Sequence, residues 1–123
     1  MANFYFLYFE DLGLDCRAQR IGAIGYAHRS VVVHKGGTTT GTARSRKGPS
    51  PLTVCHEIRN RIRCVPDQNP AWLGSTIAKQ FLHAGWFGAF GAFRNMTAAF
   101  HGLMAGIKGE VGRPGAAAAL AKK

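Results

Sequence analysis

The stretch TIAKQFLHAGWFGAFGAFRNMTAAFHGLMAGIK, residues 76–108, decides how this chain folds. No other segment combines its length, apolar content and freedom from proline. Leu82, Trp86, Phe90, Phe93, Thr97, Phe100, Met104 and Ile107 recur at spacings of four and three. That spacing lines one side of an α-helix, and no strand period fits it. At about 100° per residue, Ala84, Gly88, Gly91, Asn95, Ala98, Gly102 and Gly106 fall on roughly the opposite side. Small side chains let a second backbone approach closely, as in the small-xxx-small packing of membrane helices, and GLMAG at 102–106 is a literal GxxxG. Ala84, Gly88, Gly91, Ala98, Gly102 and Gly106 are therefore the candidate helix-packing residues. A narrow polar seam of His83, Arg94, His101 and Lys108 projects beside the aromatic stripe, suited to an acidic partner or an anionic lipid.

A helix that is apolar or small almost all round is buried in protein, in lipid or in both. As one helix the run would span roughly 40–50 Å, enough to cross a bilayer core of about 30 Å. Arg94 near its middle opposes insertion by about 2.5–3.5 kcal/mol, and residues 80–93 alone would span only about 21 Å. The alternatives are a helix lying in the membrane interface and a helix buried in a soluble assembly. The expectation is a membrane-embedded helix.

The chain has 123 residues, room for one small domain. Its 46% hydrophobic content is too high for a wholly disordered chain, while 16 glycines weaken a self-sufficient core, so a partner is expected. The net charge of +10 points to an anionic partner, either RNA, lipid or acidic protein. Three cysteines, Cys16, Cys55 and Cys64, do not read as a secreted disulfide framework. No basic segment precedes the aromatic run at 4–9, and Glu10, Asp11 and Asp15 follow it, so neither a secretory signal nor a transit sequence is expected.

Outward from the central stretch, order falls away. Residues 4–9 are apolar on every side and read as a strand, with a short helical anchor as the alternative. Val31, Val32 and Val33 read as a second short strand, ended by Gly36 and Gly37. Residues 35–50 are rich in Gly, Thr and Ser and read as a flexible basic linker bearing Arg44, Arg46 and Lys47. Residues 51–64 read as a basic helix, capped by Ser50, opened by Pro51 and stopped by Pro66. A strand reading competes, because Arg59, Arg61 and Arg63 alternate with apolar or neutral positions. Either way those arginines are the densest basic cluster, and Arg suits bidentate contact with phosphate. A connector at 67–74 precedes the long helix, and glycines and Pro114 return after Lys108, with one or two helical turns expected over 116–123. The expected architecture is mainly α and extended, with one long helix over 76–108, a shorter one over 51–64, a short strand or two near the N-terminus and long loops.

Catalytic and metal chemistry find little support. Cys55, His56 and Cys64 lack metal-ligand spacing and a fourth ligand. His83 and His101 would stand about 27 Å apart along one helix, too far to clamp one haem. Cys55 and His56 are sequence neighbours that point about 100° apart on a helix. No GxGxxG or Walker pattern is present. No enzyme, metal or cofactor is expected.

The segment QFLHAGWFGAFGAF, residues 80–93, resembles the membrane-entering stretch of small single-span accessory subunits of mitochondrial respiratory complexes. The likeness covers only this segment and assigns no residue a role. It implies a place in an organelle membrane, the mitochondrial inner membrane first. The sequence thus leads to a basic, non-catalytic accessory subunit of a larger membrane-associated assembly, packed through its Gly/Ala helix face against other subunits, with anionic lipid as a further partner. The alternative is a ribosome- or RNA-associated protein in which Arg44, Arg46, Lys47, Arg59, Arg61 and Arg63 contact phosphates.

Overall fold

The computed structural model describes residues 9–33 and 49–112. Four α-helices follow in chain order: α1 (Glu10–Gln19), α2 (Pro51–Gln68), α3 (Leu73–Ala89) and α4 (Phe93–Ile107), with a single 3-10 turn at Pro70–Trp72 between α2 and α3. The strand expected over 4–9 lies almost wholly outside the described residues, as do Arg44, Arg46, Lys47 and the 116–123 turns. The short strand expected at Val31–Val33 is corrected. These residues have no regular structure and stand exposed, and no strand occurs among the described residues. β-branching favours a strand only where a neighbouring strand supplies the ladder, and none does here.

Local chemistry accounts for α2. The Ser50 hydroxyl accepts a hydrogen bond from the Thr53 N–H at 3.2 Å, and Pro51 occupies the first helical turn, where its missing N–H costs nothing. Pro66 does not stop the helix, contrary to the sequence reading. The helix runs on to Gln68, because a proline in the last turn removes one amide bond without breaking those of its neighbours. The Asn69 side chain then accepts from the Ala71 N–H at 3.0 Å and starts the 3-10 turn.

The single helix expected over 76–108 is corrected to a helical hairpin. Gly91 takes a left-handed φ of 72°. Its N–H bonds to the Gly88 carbonyl at 3.1 Å, and the Ala92 N–H reaches back to Phe87 at 2.8 Å. This pair of bonds is a Schellman stop, which glycine permits because it has no Cβ to clash at positive φ. The same pair recurs after α4, where Gly109 and Glu110 bond to Gly106 and Ala105. The first stop divides the apolar run into helices of 17 and 15 residues, about 25 and 22 Å long. Neither reaches the roughly 30 Å of a bilayer core. The transmembrane expectation is overturned: among the described residues no helix is long and apolar enough to cross a membrane.

Contacts set the helix directions. Phe81 meets Phe100 edge-on at 5.3 Å, and Gly88 faces Met96, so α3 and α4 are antiparallel. The Asn95 side-chain amide donates to the Pro49 carbonyl at 3.1 Å, Gly102 lies against the Cys55 backbone, and Gly106 lies against Arg59 and Ile62. The register advances together along both helices, so α2 and α4 are parallel. The three helices enclose Val54, Cys55, Ile58, Ile62, Ala84, Ala98, Ala99 and Leu103. The small side chains of α4 bring its backbone against α2, and apolar burial then holds them there. α1 attaches at the edge: the Arg61 guanidinium lies 5.8 Å from the centre of the Phe9 ring, and Arg20 donates to the Asp67 carbonyl at 3.3 Å.

Burial pushes the Cys55 thiol above its ordinary pKa. The Arg59 charge opposes that rise and Glu110 adds to it. Because the folded-state value is raised, the stability held by the neutral thiol is present below its ordinary range and is lost as pH rises through the raised value. Cys55 and Cys64 are buried, whereas Cys16 is half-exposed. A disulfide reagent should therefore modify Cys16 alone in native buffer and all three cysteines in denaturant. Prompt reaction of Cys55 or Cys64 in the native chain would contradict this packing.

Candidate interaction surface

The hairpin turns much of its small face inward together with Leu103, and leaves a set of large apolar residues outward. Ala84 and Ala98 are wholly buried, and Gly102 and Gly106 are buried against α2. Gly88 meets Met96, and Gly91 makes the turn. Gly88, Gly102 and Gly106 thus lie against another helix of the same chain and Ala84 and Ala98 join the core, whereas Gly91 is exposed with nothing packed on it. Leu82, Trp86, Phe90 and Phe93 remain 78%, 63%, 70% and 63% exposed. Leu82, Trp86 and Phe90 form a ridge down α3 by their spacing of four, with the Trp86 and Phe90 rings 4.7 Å apart, and Phe93 opens α4 just past the turn. Met104 and Ile107 carry the apolar character onto the exposed side of α4. Thr97 is exposed and Phe100 is half-buried.

Beside this ridge, α2 and α3 border an open groove of about 360 Å³ lined by Arg61, Lys79, Gln80, Leu82, His83 and Trp86. Lys79, His83 and Trp86 share one face of α3 through their spacing of four and three. Arg61 comes from α2 and is held at the groove by Glu57, 2.9 Å away, one helical turn back. Gln80 is 2% exposed. The His83 ring stacks on Phe87 at 4.8 Å.

The polar seam is divided by the turn. Arg94, His101 and Lys108 are all exposed and recur every seven residues along one side of α4, while His83 belongs to the groove on α3. The arginine cluster is not brought together. Residues two apart on a helix point about 200° apart, so Arg59 faces the opposite side from Arg61 and is 0% exposed. Its Nη1 donates to the Gly112 carbonyl at 2.7 Å and its Nε to the Asn60 Oδ1 at 3.0 Å. Burial lowers the Arg59 pKa, and the nearby charge of Arg63 lowers it further. Arg63 is half-buried on α2. Among the described residues no group of three or more His, Cys, Asp or Glu side chains is placed to hold a metal.

Compared with known proteins, the chain matches no family model, no curated sequence and no solved structure. The surface therefore rests on its own chemistry. Sequence reading passed over Lys79, Gln80 and Glu57. The spacing of Lys79, His83 and Trp86 was visible, but Arg61 joins them only through the packing of α2 on α3.

Proposed function

We propose that this chain is a non-catalytic, basic accessory subunit of a larger membrane-associated assembly, joined to it by the aromatic ridge of the α3–α4 hairpin. The observation that carries this reading is the exposure of Trp86 and Phe90, whose rings lie 4.7 Å apart, and of Phe93 just past the turn, while Ala84, Ala98, Gly102 and Gly106 are buried inside the fold. Exposed aromatic side chains grouped in this way mark an interaction surface, and aromatic anchors dominate such contacts. The RNA reading draws less support from α2, because Arg59 is buried and faces the opposite side from Arg61, so the cluster offers no row of cations on one face.

The test uses the tagged full chain expressed in its host, extracted in mild detergent and sized on a density gradient. The wild-type chain should sediment in a high-mass species. The double variant Phe90→Ser/Phe93→Ser should sediment as free chain with unchanged helicity, through a loss of about 4 kcal/mol of contact energy. Sedimentation unaffected by the double substitution would contradict the reading. Collapse of the high-mass species under nuclease would favour the RNA alternative.

A further inference from the structure

We infer that the groove between α2 and α3 binds the phosphate-bearing headgroup of an anionic lipid, with the first methylenes of the lipid laid against Trp86 and Leu82. It deepens the functional reading above, on which it rests for bringing the chain to a membrane.

The groove has two chemistries. Arg61, Lys79 and His83 supply cationic or donor groups, and the rest of the lining is mostly apolar. The guanidinium of Arg61 can meet phosphate oxygens bidentately, and the ammonium of Lys79 acts as a point charge. Arg61 is already oriented, between the Glu57 carboxylate at 2.9 Å and the Phe9 ring at 5.8 Å. Glu57 also offsets its charge, which leaves the exposed Lys79 as the net cation of the groove. The nearly buried Gln80 adds a neutral amide that can donate or accept. The volume of about 360 Å³ falls within the range of about 300–1,000 Å³ that small-ligand sites occupy.

The apolar wall selects among phosphate sources. A free phosphate would fill the cationic end and leave Trp86 and Leu82 in water. A lipid covers both ends, and the wall continues directly into the ridge of Phe90. The net charge of +10 draws the chain toward an anionic leaflet. A nucleic-acid backbone would need several spaced cations, and the described arginines of α2 do not provide them on one face.

The experiment follows Trp86 emission in the full chain carrying Trp72→Phe, which leaves Trp86 as the sole tryptophan. The probes are phosphatidylcholine vesicles with and without phosphatidylglycerol, dihexanoyl phosphatidylglycerol below its micelle concentration, and inorganic phosphate. Vesicles with phosphatidylglycerol and the soluble short-chain lipid should both shift the emission to the blue and saturate, and pure phosphatidylcholine should not. Lys79→Gln should weaken binding about five-fold, and Glu57→Gln should tighten it by a similar factor, with helicity unchanged in both. Equal binding of phosphatidylcholine, or titrations indifferent to both substitutions, overturns the proposal. So does inorganic phosphate that shifts Trp86 and displaces the lipid at matched concentration, which would reveal a free-phosphate site. Displacement by single-stranded RNA with the same Lys79 dependence would replace the lipid with a nucleic acid. The two readings fail separately. If Phe90→Ser/Phe93→Ser disperses the assembly while the groove variants bind like wild type, the groove alone is wrong. If the groove titrates as stated while the assembly survives the ridge variant, the subunit reading is wrong.

Discussion

Gly102→Ala should destabilise the chain by about 3 kcal/mol and lower its Tm by more than about 10 °C. A Cβ at Gly102 would run into the Cys55 carbonyl oxygen, with the Cys55 carbonyl carbon and Cα each at 3.1 Å. All three obstacles are backbone atoms inside α2, so no rotamer change relieves them. The two parallel helices must separate, and that loosens Val54, Ile58, Ala98 and Leu103 as well. Gly88→Ala is the control. Its Cβ would meet only the Met96 side chain, with Sδ at 2.7 Å and Cγ at 3.9 Å, and that flexible side chain can swing away. The gain in helix propensity there is about 1 kcal/mol, so this variant should be neutral or slightly stabilised. Urea unfolding followed by circular dichroism measures both. Equal midpoints for the two variants would mean that α2 and α4 do not meet at Gly102.

The second large effect belongs to Arg59. Arg59→Ala should cost about 3 kcal/mol, because the largest fully buried side chain of the described residues would leave a cavity between α2 and α4. Arg59→Met should recover most of that loss. Among the described residues the arginine is a desolvated cation with no carboxylate hydrogen-bonded to it, and its Nη2 has no hydrogen-bond partner. An apolar side chain of similar length keeps the packing and removes the cost of burying charge. It gives up only the bonds to Gly112 and Asn60, at about 1–3 kcal/mol each before the relief of desolvation. If Arg59→Met unfolds as readily as Arg59→Ala, the charge-assisted bond to Gly112 outweighs desolvation, and Arg59 acts chiefly as a clamp on the end of α4.

Much of the helical content was legible because it is local. Ser50 and Pro51 act within one turn, and Leu52, Cys55, Ile58 and Ile62 show the period that α2 buries. The Schellman stop at Gly91 is equally local, yet it was missed: the aromatic period runs through 90–93 without a break in phase. Glycine is so frequent in this segment that the one glycine with positive φ did not stand out. The groove was half legible. Lys79 and His83 announce a shared face one turn apart, while Glu57 and Arg61 reach them only across a helix interface.

The sequence by itself determined the helical character of 51–64 and of most of 76–107, the small-residue face fit for close helix packing, and the strong positive charge. Those are properties of period, side-chain size and composition, and they need no partner to be read. Tertiary structure decided which side of the hairpin turns inward. The stop at Gly91 folds α4 back on α3, and once folded, only the Gly/Ala side admits the α2 backbone. Bulkier Trp86, Phe90 and Phe93 would hold the helices apart, so they are left facing outward. The same close approach encloses Arg59, whose position in the sequence is indistinguishable from that of a surface cation.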